Sequence, residues 1–238
     1  MKVKILNPEQ IKDLFFWWGK TSQVCYNTQT DTPSSIGKHC MKSGHFSGSR
    51  SQYILFQIEE CPRFLTDQVV RHEVGVMKNV QSFRYVDKSC FSYEVPSEIV
   101  DNRSLLEKYI NHMTNTVNLY VDIQSYVSDK TGSSEKANEQ ARYVLPMSTH
   151  TTFVVGMDIE ALIHFCNSRL CVRAEDTHRE LASKMKNLVL EILPELKEKL
   201  VPNCQANLWC PEKNSCGAFP QKESILQLLK DKGDKIND

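Results

Sequence analysis

The sequence predicts one α+β domain, and three observations lead to this fold class. Two short β-rich segments, residues 53–58 and 151–156, stand among long stretches in which apolar side chains recur at helical spacing. No internal repeat and no Pro-, Gly- or Ser-rich linker divides the 238 residues. A chain of this length can form one large domain or two small ones, and without a linker a single domain is expected.

The first predicted helix spans residues 8–25. Pro8 suits the first turn of a helix, where its missing N–H costs no hydrogen bond. Ile11, Leu14 and Trp18 then form an apolar stripe at helical spacing. This stripe predicts that one face of the helix packs in the interior.

Helix and loop alternate in the next part of the chain. Residues 34–51, rich in Gly, Ser, Lys and His, are expected to form a loop or a short helix with a loop. Another helix is predicted to start at Pro62 and to continue to His72. A polar stretch ends this pattern, so Ser82 and Arg84 are expected on a loop or an emerging strand.

The second half is mainly helical apart from the strand at 151–156. Asp158 is predicted to cap one of its helices, because a carboxylate at this position accepts a hydrogen bond from a free backbone N–H. A turn is expected at 129–134, and the tail after Pro202 is expected to end in a mobile Lys/Asp-rich segment. The predicted helices span residues 104–127, 137–143, 158–171 and 175–193. The first of them carries an apolar face that includes Leu105, Ile110, Met113, Tyr120 and Val121.

Composition argues against several classes of partner. Lys+Arg and Asp+Glu are equal at 29 each, so no global field attracts nucleic acid or an anionic membrane. The first residues lack the apolar core of a signal peptide, and no apolar run is long enough to span a bilayer. A cytoplasmic protein with a local anion site is expected.

The nine cysteines predict reduced thiols in the interior rather than a disulfide framework, because six are scattered singly and the total is odd. Cys204, Cys210 and Cys216 are closer together and resemble a metal knuckle. Three thiolates are one ligand short of a closed zinc site. A structural or redox role is favoured over a metal site, and no metal is predicted.

Basic, amide and hydroxyl side chains recur at the ends of apolar segments. Such groups suit a bound phosphate better than a solvated surface. They occur in Gln68-Val69-Val70-Arg71-His72-Glu73, in Ser82-Phe83-Arg84-Tyr85, in Glu139-Gln140-Ala141-Arg142, and at Arg169.

Six motifs in chain order resemble the flavin-dependent thymidylate synthase family, from about residue 25 to about residue 182. Each motif alone is a weak signal, whereas their shared order is specific. The motifs are Gly44-His45-x-Ser47, Phe56-x-Ile58-Glu59 with Arg63 and Gln68, Arg71-His72, Ser82-x-Arg84-Tyr85, Glu139-Gln140-Ala141-Arg142-x-Val144-Leu145-Pro146, and Leu162-x-His164-Phe165 with Arg169.

The resemblance implies both a fold and an activity. The fold would be a single domain over residues 1–200, with a central mixed or antiparallel sheet flanked by helices, followed by a cysteine-containing tail at 201–238. The activity would be one-carbon transfer from methylenetetrahydrofolate to C5 of dUMP, with reduced FAD as the hydride donor, NADPH as the reductant and dTMP as the product. Such enzymes are homotetramers with active sites shared between subunits.

The resemblance also assigns roles to residues. Arg84 and Arg142 would hold the dUMP phosphate, Ser82 would lie beside the nucleotide, and Arg169 would lie against the uracil edge, where a cation favours developing negative charge. Ser82 and Arg169 are the candidate catalytic residues. The full substrate set is Gln68, Arg71, Ser82, Arg84, Glu139, Arg142 and Arg169, and the cofactor set is His45, Arg71, His72, Glu73, Asp158 and His164.

Each of these residues also has a purely structural interpretation. A single arginine at the end of a strand or helix is more often part of a surface ion pair than a ligand contact. His72 and His164 could be interior histidines on amphipathic helices. Glu139 could pair with Arg142 three residues later. The order of the motifs, not any single residue, supports the functional interpretation.

The chain departs from the family pattern at several positions. Glu73 and Glu160 stand where the family has arginine, Arg50 stands where it has glutamate, and the gap before Ser82 is one residue longer. One hypothesis is a charge swap, in which Arg50 pairs with Glu160 or Glu73. The alternatives for function are hydroxymethylation of dUMP or dCMP with altered or lost flavin use, and a non-catalytic nucleotide-binding protein.

Overall fold

The computed structural model describes residues 1–25 and 27–231. The Lys/Asp-rich end that was expected to be mobile lies mostly outside these residues. Contacts divide the chain into two compact units. The first unit comprises residues 1–2, 57–72 and 78–155, and the second comprises residues 3–56, 73–77 and the chain from Gly156 onward.

The fold is α+β, as predicted, with one four-stranded antiparallel sheet. The predicted strands at 53–58 and 151–156 are confirmed as two adjacent inner strands of this sheet. The other two strands were not predicted, because they have only four and five residues and carry no buried apolar run. The sheet has the order β1-β2-β4-β3, with β1 at Lys2–Ile5, β2 at Ile54–Pro62, β3 at Val76–Val80 and β4 at His150–Met157.

Helices account for most of the remaining described residues, and none of these helices is long and apolar enough to cross a membrane. They are α1 (Pro8–Lys12), α2 (Leu14–Cys25), α3 (Pro33–Lys42), α4 (Arg63–Val69), α5 (Arg103–Thr131), α6 (Ser134–Ala141), α7 (Ile159–Arg169), α8 (Asp176–Ile192), α9 (Asn203–Asn207) and α10 (Lys222–Asp231). Short 3₁₀ turns at 47–51 and 142–144 follow α3 and α6.

Several predicted helix boundaries were wrong. The first helix is interrupted at Asp13, whose N–H bonds to the carbonyl of Ile11. The helix after Pro62 ends at Val69 rather than at His72. The long helix α5 extends into the turn predicted at 129–134 and ends at Thr131, because Gly132 has φ +65° and adopts the left-handed conformation that ends helices.

In the first unit, α5 presents a narrow buried stripe of Met113, Thr116 and Tyr120. Three members of its predicted apolar face, Leu105, Ile110 and Val121, are at least two-fifths exposed. The apolar face of α5 is thus wider than the surface that its own chain covers.

In the second unit, α2 and α3 approach each other closely through two glycines. A Cβ atom on Gly19 would lie 1.8 Å from the carbonyl oxygen of Pro33, and one on Gly37 would lie 2.1 Å from that of Phe15. Real carbon–oxygen contacts are not this short, so the backbones pack at a distance that only glycine permits. Trp18 is completely buried beside this contact, on the apolar stripe predicted from the sequence.

Gly37→Ala is expected to lower the free energy of unfolding by about 1–3 kcal/mol, because the added methyl group forces α2 and α3 apart. Helix propensity alone favours alanine over glycine and would raise the free energy of unfolding by up to about 1 kcal/mol. Urea denaturation followed by circular dichroism measures the difference. Ser35→Ala, on the exposed side of the same helix, is the control and should remain within about 0.5 kcal/mol of the unmodified protein. A Gly37→Ala protein as stable as the unmodified one would disprove the close contact.

Candidate functional site

A tight turn after β3 holds the Ser82 motif in the first unit. The N–H of Gln81 donates to the carbonyl of Thr152 at 2.9 Å, which ends the strand pairing. The carbonyl of Ser82 then accepts from the N–H groups of Tyr85 and Val86, and its Oγ accepts from the N–H of Arg84 at 3.3 Å. Ser82 thus lies on a loop, as predicted, with an exposed side chain.

Arg84 is neutralised by two carboxylates on α6. Its guanidinium lies 2.6 Å from Glu135 and 3.0 Å from Glu139, and it packs 5.5 Å from the centre of the Tyr85 ring. The structural alternative for Glu139 was an ion pair with Arg142, but Glu139 instead pairs with Arg84. A phosphate that reached Arg84 would therefore have to compete with two carboxylates.

A cavity of about 540 Å³ lies beside this turn, within the first unit. It brings together two predicted substrate residues, Ser82 and Arg142, and adds Arg63. The sequence motifs included Arg63, but it was not assigned to the site. A signal was present, because a cation in the first turn of a helix opposes the helix dipole and needs another partner. The cavity is lined by Arg63, Val80, Gln81, Ser82, Phe83, Arg142, Tyr143, Leu145, Pro146 and Met147.

Two cations lie over the ring of Phe83. The guanidinium carbon of Arg63 is 5.2 Å from the ring centre, and Nζ of Lys88 is 4.7 Å from it. Lys88 also donates to Oε1 of Gln81 at 2.9 Å and to the carbonyl of His150 at 3.2 Å. Burial lowers the pKa of Lys88. Positive charge is thus concentrated beside the cavity.

Three predicted residues lie in the last turn of α4 or just after it. Gln68 lies in the last turn and is half-buried, whereas Arg71 is exposed. His72 lies in the turn after the helix, where its N–H donates to the carbonyl of Val69 at 3.1 Å. The alternative placed His72 on a helix, which is wrong because α4 ends three residues earlier, and its side chain is half-buried.

The predicted cap of α7 is confirmed in the second unit. Oδ1 of Asp158 accepts from the N–H of Ala161 at 2.7 Å. The N–H of Asp158 donates to the carbonyl of Gly75, where φ is +70° and a Cβ atom would lie 2.3 Å from the carboxylate. Burial, together with the nearby charge of Glu160, raises the pKa of Asp158. Gly75 is thus required for the approach of its loop to the start of α7.

The charge-swap hypothesis is confirmed for one of its two proposed partners. Nε of Arg50 donates to Glu160 at 2.8 Å, and its terminal nitrogen lies 2.7 Å from the same carboxylate oxygen. This hydrogen bond raises the pKa of Arg50. Glu73 is exposed two residues before Gly75. Arg50 therefore places a cation at the start of α7, in contact with Glu160.

The three remaining predicted residues of the second unit lie in or next to helices and differ in exposure. His45 is exposed in the turn after α3, and its carbonyl accepts from the indole N–H of Trp18 at 3.2 Å. His164 is exposed on α7, so the interior alternative is wrong for its side chain. Arg169 is the last residue of α7 and is half-buried.

A buried histidine lies close to Arg169. His178 has no exposed surface, and its Nδ1 lies 3.2 Å from a carboxylate oxygen of Glu175. Burial lowers the pKa of His178, and the positive charge of Arg169 acts in the same direction. Both effects disfavour the protonated form of His178.

The cysteines of the tail line a small pocket together with Cys171, and all are free thiols. Burial and the neighbouring thiols Cys171 and Cys210 raise the pKa of Cys204. Over residues 1–25 and 27–231, no group of three or more His, Cys, Asp or Glu side chains is arranged to hold a metal ion.

Comparisons with known proteins agree with the motif order. Residues 16–195 match the family model described as thymidylate synthase complementing protein. A flavin-dependent thymidylate synthase from Nitratidesulfovibrio vulgaris is 35% identical over 187 residues, which cover 78% of this chain and 76% of that protein. One from Clostridium tetani is 33% identical over 248 residues, covering 94% of this chain and 96% of the relative.

The fold is also shared with a solved structure. The crystal structure of a flavin-dependent thymidylate synthase from Helicobacter pylori, complexed with FAD and dUMP, superimposes with a TM-score of 0.58. The match covers 86% of this chain and 99% of the Helicobacter pylori chain, and the sequence identity is 19%. The family match and the sequence identities together establish that this chain belongs to the flavin-dependent thymidylate synthase family.

Proposed function

We propose that this protein transfers a one-carbon unit from methylenetetrahydrofolate to C5 of dUMP, with a reduced flavin as hydride donor, and so makes dTMP. Membership of the family and the names of its relatives support this activity. The observation that carries the proposal is the cavity of the first unit, because its arginines and hydroxyl suit a nucleotide phosphate.

The substrate residues have distinct proposed roles. Arg142 and Ser82 line the cavity and would bind the dUMP phosphate, together with Arg84 from the adjacent turn. Glu139 would orient Arg84 through their ion pair. Gln68 and Arg71 would flank the base. A phosphate fixed in this way would limit the positions that the uracil ring can adopt.

Arg169 is the proposed electrostatic catalyst. Negative charge develops on the N3/O4 side of uracil as C5 becomes nucleophilic, and a fixed guanidinium stabilises that charge. The half-buried position of Arg169 suits this role. Ser82 would assist by holding the nucleotide in the cavity of the first unit.

The residues of the second unit fit a flavin once Arg50 is included. When bound, reduced FAD would supply the hydride, and NADPH would regenerate it. The proposed cofactor residues of the second unit are His45, Glu73, Asp158 and His164, and Arg71 and His72 of the first unit are proposed cofactor residues as well. Arg50 would supply the cation for a cofactor phosphate, because it stands at the start of α7 and its charge is stabilised by Glu160.

A homotetramer with shared active sites is proposed as the assembly. The exposed apolar side chains of α5 support association, because a monomer would leave them in water. Leu105, Ile110, Leu119, Val121 and Tyr126 are all at least two-fifths exposed in the single chain.

Titration of cofactor-stripped protein with FAD, followed by flavin fluorescence, tests the proposed function. FAD is expected to bind, its fluorescence is expected to respond to dUMP, and dTMP is expected to form when methylenetetrahydrofolate and NADPH are added. Absence of FAD binding, while dUMP or dCMP still raises the unfolding temperature, would contradict flavin use. That result would favour one of the two alternatives, an enzyme that hydroxymethylates dUMP or dCMP or a non-catalytic nucleotide-binding protein. A hydroxymethylated product in the complete assay would identify the hydroxymethylating enzyme.

A double-mutant cycle with Arg50→Ala and Glu160→Ala tests the charge swap. The expected coupling in the free energy of unfolding is small but above zero, because both side chains are about half exposed and solvent screens the pair. Arg50→Ala is also expected to weaken FAD binding by roughly tenfold or more, since a charge-assisted bond to phosphate is lost. Glu160→Ala should not weaken it, because it removes only a carboxylate.

Lys12→Ala is the matched control for this cycle. Lys12 forms an exposed ion pair with Glu9 at 2.7 Å in the same unit, away from the start of α7. Its removal should leave the affinity for FAD unchanged. Zero coupling between Arg50 and Glu160, or equal FAD affinity in all variants, would contradict the proposed role of Arg50.

A further inference from the structure

Arg63 is positioned by its backbone rather than by an anionic partner. Its N–H donates to the carbonyl of Thr149 at 2.9 Å, and the N–H of Phe64 donates to the carbonyl of Met147 at 3.1 Å. These bonds attach the first turn of α4 to the segment that forms one wall of the cavity. The backbone of Arg63 is thus held beside the cavity independently of the contacts that its side chain makes.

The charge of Arg63 is only weakly compensated. Its ion pair is with Asp67, where Nε and Oδ1 are 3.8 Å apart, too far for a hydrogen bond. The side chain of Arg63 is 35% exposed and that of Asp67 is 48% exposed, so solvent screens this pair. A cation in the first turn of a helix is also electrostatically unfavourable. Folding alone does not account for an arginine at this position.

Phe83 sets the orientation of the guanidinium. Arg63 lies 5.2 Å from the centre of the ring, within the range of a cation–π contact. An arginine held over an aromatic ring keeps its donor groups available at the edges of its plane, whereas an ammonium group has no such planar fork. Arg63 is therefore prepared to bind an oxyanion in the cavity that it lines with Arg142 and Ser82.

Arg84 and Arg63 differ in the way their charges are compensated. Arg84 already has two carboxylate contacts of 3.0 Å or less, with Glu135 and Glu139. A phosphate that bound to Arg84 would displace or share those partners. Arg63 has no carboxylate at such a distance among the ion pairs of the described residues, and its binding to phosphate would break no strong contact.

We propose that Arg63 is a further substrate-binding residue, whose guanidinium forms a phosphate clamp with Arg142 and binds the monoester phosphate of the pyrimidine nucleotide. The inference rests on the proposed function, because it assumes that the cavity of the first unit binds the substrate phosphate. It adds Arg63 to the residues proposed to bind the phosphate, while Arg84, through its ion pairs, also joins the Ser82 turn to α6.

The affinities of the holoenzyme for dUMP and for deoxyuridine test this role, measured by calorimetry and by ligand-detected NMR. Arg63→Ala is expected to weaken dUMP binding by roughly tenfold to a hundredfold, as for a lost hydrogen-bonded ion pair. The affinity for deoxyuridine, which lacks the phosphate, should stay within about twofold. Arg63→Lys should give an intermediate loss, because it keeps the charge but not the fork.

Arg103→Ala is the matched control. Arg103 lies in the same unit, with a side chain 93% exposed and paired with Glu107 four residues later. Its removal should change neither affinity. Thermal unfolding of each variant shows whether the fold is retained, and Arg63→Gln replaces Arg63→Ala if the latter does not fold.

The possible outcomes separate this inference from the proposed function. If the unmodified protein does not bind dUMP, the proposed function fails. If it binds dUMP and the Arg63 variants bind it equally well, the clamp is overturned while the function stands. If the variants lose dUMP and deoxyuridine in equal measure, Arg63 acts only by supporting Phe83, and the clamp is again overturned.

Discussion

The pairing of β4 with β2 and β3 is the constraint on which the candidate site depends. The residues just before β4, from Leu145 to Met147, form a wall of the cavity, and the residue just after it, Asp158, caps α7. Hydrogen bonds at both ends of this strand fix its register. Gln81 bonds to the carbonyl of Thr152 near one end, and Asp158 bonds to that of Gly75 at the other. A slip of one residue would turn each side chain of the strand to the opposite face.

The distribution of charge distinguishes the two groups of candidate residues. In the first unit, Arg63 and Arg142 line the cavity while Arg84 is neutralised by α6. In the second unit, the start of α7 has two carboxylates, Asp158 and Glu160, and Arg50 compensates the second of them from a different segment. Because Arg50 and Glu160 together carry no net charge, their contact leaves no isolated charge of Glu160 at the start of α7.

Local sequence patterns predicted the elements whose residue types match the secondary structure that they adopt. The strand at 151–156 is rich in β-branched residues, and Asp158 is a residue type that caps helices, so both were confirmed. The errors fall where tertiary contacts overrule local preference. Strands β1 and β3 are short and half-exposed, and they exist because longer neighbours pair with them. The end of α4 at Val69 was missed because residues 70–72 still follow a helical pattern, although the chain turns there toward β3.

The sequence by itself determined the α+β class, the family and the identity of the candidate residues, because motif order and helical periodicity are properties of the linear chain. Only the tertiary structure decided which charged groups meet. Arg50 and Glu160 are separated by 110 positions, and Arg84 and Glu139 by 55, so no local pattern reports their contacts. The place of Arg63 in the cavity has the same origin. It depends on backbone hydrogen bonds to the distant residues Met147 and Thr149, and such bonds form only when the folded chain brings the two segments together.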